Sequence, residues 1–237
     1  MKLENILFLD IETVPQHPSF FELTPEEKKL FADKTTYQRK ETTAEEFYER
    51  AGIWAEFGQI VCISVGYFVS VKTQPRAFRL TTFIGEEKNL LTEFSALINR
   101  HFSKSYHRLC AHNGKEFDFP YIARRMVIHG LELPGPIQVA GKKPWEVSHL
   151  DTMELWKFGD YKHYTSLKLL THVLGIPSSK DDIDGSQVAD VYYKDKNVDR
   201  IAKYCEKDVL AVAQVLLRFE QIPLLSEDEI AHVAPKG

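Results

Sequence analysis

The 237-residue sequence has only three cysteines, Cys62, Cys110 and Cys205, with no CxxC pair among them. That argues against a disulfide framework and a zinc site, and it fits reduced thiols in a cytoplasmic protein. No stretch approaches the roughly 18 consecutive apolar residues of a membrane span, so no membrane role is expected. The first residues lack the basic-then-apolar pattern and small-residue cleavage site of a secretory leader. Basic residues are not in excess either, since the formal charge is -4. A broad cationic face is therefore excluded, and any nucleic-acid contact has to rest on local patches or on bound cations. Internal repeats and low-complexity tracts are absent as well.

What is present suits one folded unit over 1–237, because 43% hydrophobic and 27% charged residues are ordinary for a sizeable core. Residues 5–10 read as a buried strand. A polar segment, 15–53, follows with two helix starts, Thr24-Pro25-Glu26-Glu27 and Thr43-Ala44-Glu45-Glu46, and reads as a helical insertion. Segments 59–70 and 76–84 read as paired strands. A helix over about 86–102 carries Leu90, Leu91, Phe94, Leu97 and Ile98 on one face. Residues 108–113 and 147–152 read as two further strands, with a helix starting between Asp118 and Tyr121. Helices over 165–174, 186–194 and 197–220 complete the chain. The expected fold is therefore α/β: a mixed five-stranded sheet, three antiparallel strands then two parallel, flanked by helices.

The acids need explaining. With 34 of them in the chain, a lone D-x-E means little. Asp10 and Glu12, however, follow the apolar run Ile6-Leu7-Phe8-Leu9, and in a strand i and i+2 project to one side. Two adjacent carboxylates raise each other's energy unless a proton or a cation separates them. At about 100° per residue, Asp208 falls on the apolar face of the last helix, among Ile201, Cys205, Val212, Val215, Leu216 and Phe219. Tyr204 leaves that helix about 40° away by the same rule. A buried ionised carboxylate costs several kcal/mol unless it is paired or bound to a metal. Asp118 follows the turn His112-Asn113-Gly114, where it could also cap a helix. Four acids without cysteine or repeated histidine select hard cations such as Mg²⁺ or Mn²⁺. Such a cluster can hold two ions about 3.5–4 Å apart, the arrangement that hydrolyses phosphodiesters.

Taken in order, "LDIET" (D-x-E), "NGKEFD" (N-G-x-x-F-D) and "YCEKD" (Y-x-x-x-D) resemble the three motifs of DEDD-superfamily 3′→5′ exonucleases, tyrosine branch. The likeness is to the proofreading domain of family B DNA polymerases, in its PolB-like form, and it spans residues 3–220. "SLKLLTHVLGIP" and "DDIDGSQVADVYY" share it. The resemblance implies an RNase H-like fold, two divalent ions and release of nucleoside 5′-monophosphates from single-stranded 3′ ends, DNA more than RNA. Carried over by motif, Asp10, Glu12 and Asp208 would hold the ion that activates water. Asp10 would bridge to the second ion, with Asp118 acting partly through water. Tyr204 would orient the nucleophile, and Thr13, Asn113 and Phe117 would lie near the terminal nucleotide. Polymerase palm and fingers are not part of the likeness, which leaves service to a replication or repair protein in trans open.

Two other readings compete. A haloacid-dehalogenase phosphatase starts with D-x-D-x-T after a strand, but Glu12 and Val14 stand at its second and third positions. A catalytically dead binding module would have no need of four intact acids and Tyr204. Among minor motifs, "YKHYTS" (161–166) combines basic and aromatic groups suited to single strands. "KDDIDG" has Lys180 where an EF-hand loop needs its first ligand. "GKKPW" reads as a solvated turn before a phosphate loop.

Overall fold

The apolar run after Asn5 does become a strand, but a longer one than its hydrophobicity marks: β1 spans Ile6–Pro15. The computed structural model describes residues 2–71, 74–160, 164–177 and 183–234. β2 (Gly58–Val71) and β3 (Gln74–Ile84) extend β1 as an antiparallel meander, and β4 (Arg108–Ala111) and β5 (Leu150–Asp151) add in parallel on its other side. β6 (Ile230–His232) is a sixth strand, parallel to β3 beside Phe78–Leu80, giving the order β5-β4-β1-β2-β3-β6. Three residues carry no readable period, so the five-strand expectation missed it. Thr81 Oγ1 donates to Val233 O at 2.6 Å, and Arg76 Nε pairs with Glu229 Oε1 at 2.6 Å; these hold the segment in place.

Asp10 and Glu12 are therefore inside β1, which corrects the expectation that they end it. A backbone ladder is indifferent to side-chain polarity, and β1 pairs with β2 from Leu7 to Pro15, with a register shift between Glu12 and Thr13. What ends is the other ladder, since β4 pairs with β1 only from Ile6 to Phe8. The acids lie just past that end, where sites in such sheets gather.

Helices cover both faces. Within the 15–53 segment, α1 (Pro25–Arg39) and α2 (Ala44–Phe47) each begin with a complete capping box, Thr24/Glu27 and Thr43/Glu46. α3 (Glu87–His101) and α4 (Asp118–Ile128) bury Leu90, Leu91, Phe94, Ile122 and Met126 against Leu7, Leu9, Ile11 and Val65. α5 (Thr152–Lys157), unexpected from sequence, starts where Asp151 accepts the amides of Met153 and Glu154. α6 (Leu167–Val173) and α7 (Val188–Tyr193) lead into α8 (Val198–Phe219), whose Val209, Val212 and Leu216 pack on Ile6, Phe8 and Phe78. The alternation along β1 thus sends odd residues to α3 and α4 and even ones to α8. Among the described residues, no helix is long and apolar enough to cross a membrane.

The insertion builds its own small core from Leu23, Phe31, Phe47, Tyr48 and Ala51, with Phe20, Trp54 and Phe57 beside it. Gly52 fastens it to the sheet: a Cβ there would come within 2.9 Å of Val14 C, so the two backbones need a glycine to approach. Tyr121 donates to Gly52 O at 2.8 Å from the opposite side.

Candidate active site

The even parity that faces Ile6 and Phe8 toward α8 carries Asp10 and Glu12 the same way. Opposite them, α8 is capped by Asn197, whose side chain accepts the Arg200 amide, and its apolar stripe buries Ile201, Cys205 and Val209. Asp208 sits half-buried beside Val209, at the border of the stripe rather than its middle. Glu206, on the same helix, is half-buried. It accepts from Thr82 Oγ1 at 2.7 Å and pairs with His232 Nδ1 at 2.9 Å.

Asp118 arrives from the loop after β4. It is the first residue of α4, and the N-cap position belongs to Phe117, which makes no side-chain cap. Asp118 is 3% exposed, and its Oδ1 has no hydrogen-bond partner among the described residues. Burial pushes its carboxyl up to about 7, against the pull of the Asp118 and Ile11 amides, with Asp151 and Asp208 adding to the rise. Burial, then Asp118, Glu12 and Asp208, lift Asp10 well above the carboxylate range. Burial lifts Glu12 in the same way, joined by Cys62, Asp208 and Asp118. The four acids drawn from three motifs thus act on one another across one small volume.

Tyr204 is half-buried, and burial followed by the charges of Asp208, Glu12 and Asp10 raises its pKa far above the ordinary phenol. It stays protonated at any physiological pH and can act as a donor but not as a base.

The remaining predicted residues fall on two sides. Asn113 adopts a left-handed backbone (φ 62), and its Oδ1 is a second buried oxygen without a partner. Thr13 and Phe117 flank Tyr121: the Thr13 side chain pulls the phenol's pKa down against the rise that burial imposes, and the Phe117 ring lies 5.3 Å from the Tyr121 ring.

Sequence reasoning passed over three groups here. Asp151 accepts Asn113 N at 2.9 Å and Lys115 N at 3.1 Å while capping α5, so it holds the loop that carries Asn113 and Asp118. His112 spans the gap from Thr152 Oγ1 (2.9 Å) to Thr165 O (2.8 Å), and burial lowers its pKa. The Thr165 carbonyl only accepts, so Nε2 carries the proton. Cys205 donates its thiol to Asp10 Oδ2 at 3.3 Å. The one sequence signal for Asp151 is its own place at a strand end.

Lys162 and His163 of "YKHYTS", and Lys180 to Asp182 of "KDDIDG", lie outside the described residues; Tyr164 is exposed. "GKKPW" forms a solvated turn in which Lys143 lies 5.2 Å over the exposed Trp145 ring.

Buried carboxylates with raised pKa values and an unpartnered oxygen on Asp118 fit hard divalent cations, which would relieve both defects. Without a cation these acids bind protons more tightly folded than unfolded, where carboxylates titrate near about 4. Stability should therefore fall as the pH rises from about 4 to about 7. Mg²⁺ or Mn²⁺ at a hundred times its Kd should restore about 2.7 kcal/mol, a rise of roughly 5–10 °C in the melting midpoint for a chain of this size. A midpoint at pH 7.5 that moves no more than in an ionic-strength control would rule the cation out.

Comparison with known proteins follows the same line. The family B DNA polymerase of the hyperthermophilic archaeon Pyrobaculum calidifontis matches 91% of this chain with a TM-score of 0.54 and 14% identity. The chain spans only 24% of that polymerase, so the likeness is one of fold, the RNase H-like fold of a polymerase exonuclease domain. No curated protein matches in sequence. Residues 53–232 match a family model, and the chain belongs to that family: predicted 3′-5′ exonucleases related to the exonuclease domain of PolB, hydrolases acting on phosphodiester bonds. The match takes in Asp118, Tyr204 and Asp208 and begins after Asp10 and Glu12.

Proposed function

We propose that this chain is a divalent-metal-dependent exonuclease that removes nucleoside 5′-monophosphates one at a time from single-stranded 3′ ends, DNA in preference to RNA. The observation that carries the reading is Asp118 Oδ1, buried without a partner among carboxylates that repel one another. Asp10, Glu12 and Asp208 would hold one Mg²⁺ or Mn²⁺, and Asp10 with Asp118 a second. Such ions stabilise charge on the phosphoryl oxygens and lower the pKa of water.

The protein's own groups do the positioning. Tyr204, beside the Asp208 charge and held in its protonated form, orients the attacking water toward phosphorus. Asn113, with its free Oδ1 in a loop pinned by Asp151 and His112, and Thr13 and Phe117 around Tyr121, would seat the terminal nucleotide. Three free cysteines suit a reducing compartment, so we read the protein as cytoplasmic, serving replication or repair proteins in trans.

Oligonucleotides of matched DNA and RNA sequence, labelled at either end and digested with Mg²⁺ and Mn²⁺ in turn, test this directly. Stepwise shortening from the 3′ end with mononucleotide release supports it, and endonucleolytic products or no cleavage sink it. Tyr204→Phe should keep the fold and the cation affinity while lowering kcat about 10–100-fold, within or just below the range of a positioned acid–base group. Full activity in that variant would reduce Tyr204 to packing, and lost cation binding would make it a ligand.

A further inference from the structure

Cys205 is fully buried on α8, and its sulfur is 3.3 Å from both the main-chain oxygen and Oδ2 of Asp10. Ligand atoms of Asp10, Glu12 and Cys205 all lie within 4.8 Å of one another. Cys62, opposite Glu12 in the β1–β2 ladder, packs in the same buried cluster as Cys205. A thiol that only filled space would not need to face a carboxylate.

A second observation points to a ligand in the same place. Asp118, 3% exposed, keeps an unpartnered Oδ1 and lies near enough for its charge to act on Asp10 and Glu12. Sulfur and two carboxylates make a donor set of three, which leaves the fourth place around a tetrahedral ion to water. Zinc takes four such donors in a tetrahedron, with Zn–S about 2.3 Å and Zn–O about 2.0 Å, which separates sulfur from oxygen by about 3.5 Å. The observed 3.3 Å is close to that spacing. Magnesium has no use for sulfur, whereas thiolate selects softer ions.

We propose that Cys205 turns the Asp10–Glu12 position into a capture site for thiophilic divalent cations, zinc above all, held by Asp10, Glu12 and Cys205 in competition with the hard ions. The idea rests on the reading of these acids as ion ligands. Binding exchanges the thiol proton, released to solvent, for a metal–sulfur bond, and nothing is oxidised or reduced. The captured ion occupies the carboxylates that cleavage needs, so zinc acts as an inhibitor of the magnesium- or manganese-supported reaction.

Cadmium is the probe, because its bond to thiolate gives an ultraviolet charge-transfer band. Cation-stripped protein titrated with cadmium should show one saturating equivalent. The band should persist in Cys62→Ser, weaken in Glu12→Gln and vanish in Cys205→Ser, with Cys205→Ala as the second variant if serine disturbs the buried site. Circular dichroism checks the fold of each. No band in the wild type, a band that survives loss of Cys205, or one indifferent to Glu12→Gln would overturn the proposal. In cleavage assays, zinc inhibition should weaken in the Cys205 variants; unchanged inhibition would count against the captured ion as its cause. A cadmium band in a protein that cleaves nothing leaves the capture site standing and removes the nuclease reading. Cleavage without the band does the reverse.

Discussion

Asp10→Ala and Asp208→Ala should each slow 3′-end cleavage by about a thousandfold or more. Each removes a carboxylate from the cation cluster, and the electrostatic stabilisation at stake is several kcal/mol, at about 1.36 kcal/mol per power of ten. Asp10→Ala should also make the cation-free protein more stable, because Asp10 is destabilised by burial and by Asp118, Glu12 and Asp208. This opposite sign separates a lost ligand from a broken fold. Cleavage rates set beside urea midpoints, both without and with Mn²⁺, decide the matter. An active variant would remove that residue from the site, and an inactive variant that is also less stable would mean a structural role.

The second large effect lies away from the acids, in the ion pair that joins α3 to α4. Arg125 Nε and Nη2 donate to Glu87 Oε1 and Oε2 at 2.8 and 2.5 Å, with both side chains 5% exposed. Glu87 also accepts the Ile60 amide at 2.7 Å and bonds His129 Nε2 at 2.6 Å, while Arg125 Nη1 reaches Ala55 O at 2.8 Å. One pair therefore ties two helices, β2 and the end of the insertion. Burial pushes the Glu87 carboxyl up, but Arg125, the Ile60 amide and His129 bring it below its ordinary value. Its stabilisation is thus present at neutral pH and is lost as the pH falls below the usual carboxylate range. Arg125→Met should cost about 3–5 kcal/mol by leaving Glu87 buried without its charge partner. Adding Glu87→Gln should recover part of that loss. A single-variant loss below about 1 kcal/mol in urea unfolding would show that the pair is less buried in solution than in the structure.

The parts legible in the sequence were those with a local period or a local cap. α3 shows its stripe, the capping boxes at Thr24 and Thr43 mark α1 and α2, and the meander follows from two long β-branched and aromatic runs. The four acids could be read because each sits on an element whose direction the pattern sets. Cys205 could not, since its contact with Asp10 joins residues 195 apart, and an apolar stripe treats a buried cysteine as packing. Asp151 was hidden for a related reason: its partners, Asn113 and Lys115, belong to a loop whose path depends on it. β6 is only three residues long and exists through its pairing with β3. The true end of β1 was lost because polarity, the only cue available, changed where a neighbouring strand stopped and not where β1 did.

The odd–even division of β1 acts as a reading frame of two. Ile6 and Phe8 belong to the α8 side, and Leu7, Leu9 and Ile11 to the side of α3 and α4. Replacing one apolar residue of this run with another changes volume, and neighbouring side chains can adjust. Deleting or inserting a single residue between Ile6 and Leu9 changes phase instead. With the rest of β1 held in place by β2, the shifted residues exchange faces; with the run held in place, Asp10 turns toward Leu90 and Phe94. Homologous chains should therefore vary freely in letters along this strand and differ in length only beyond it, in the 15–53 segment.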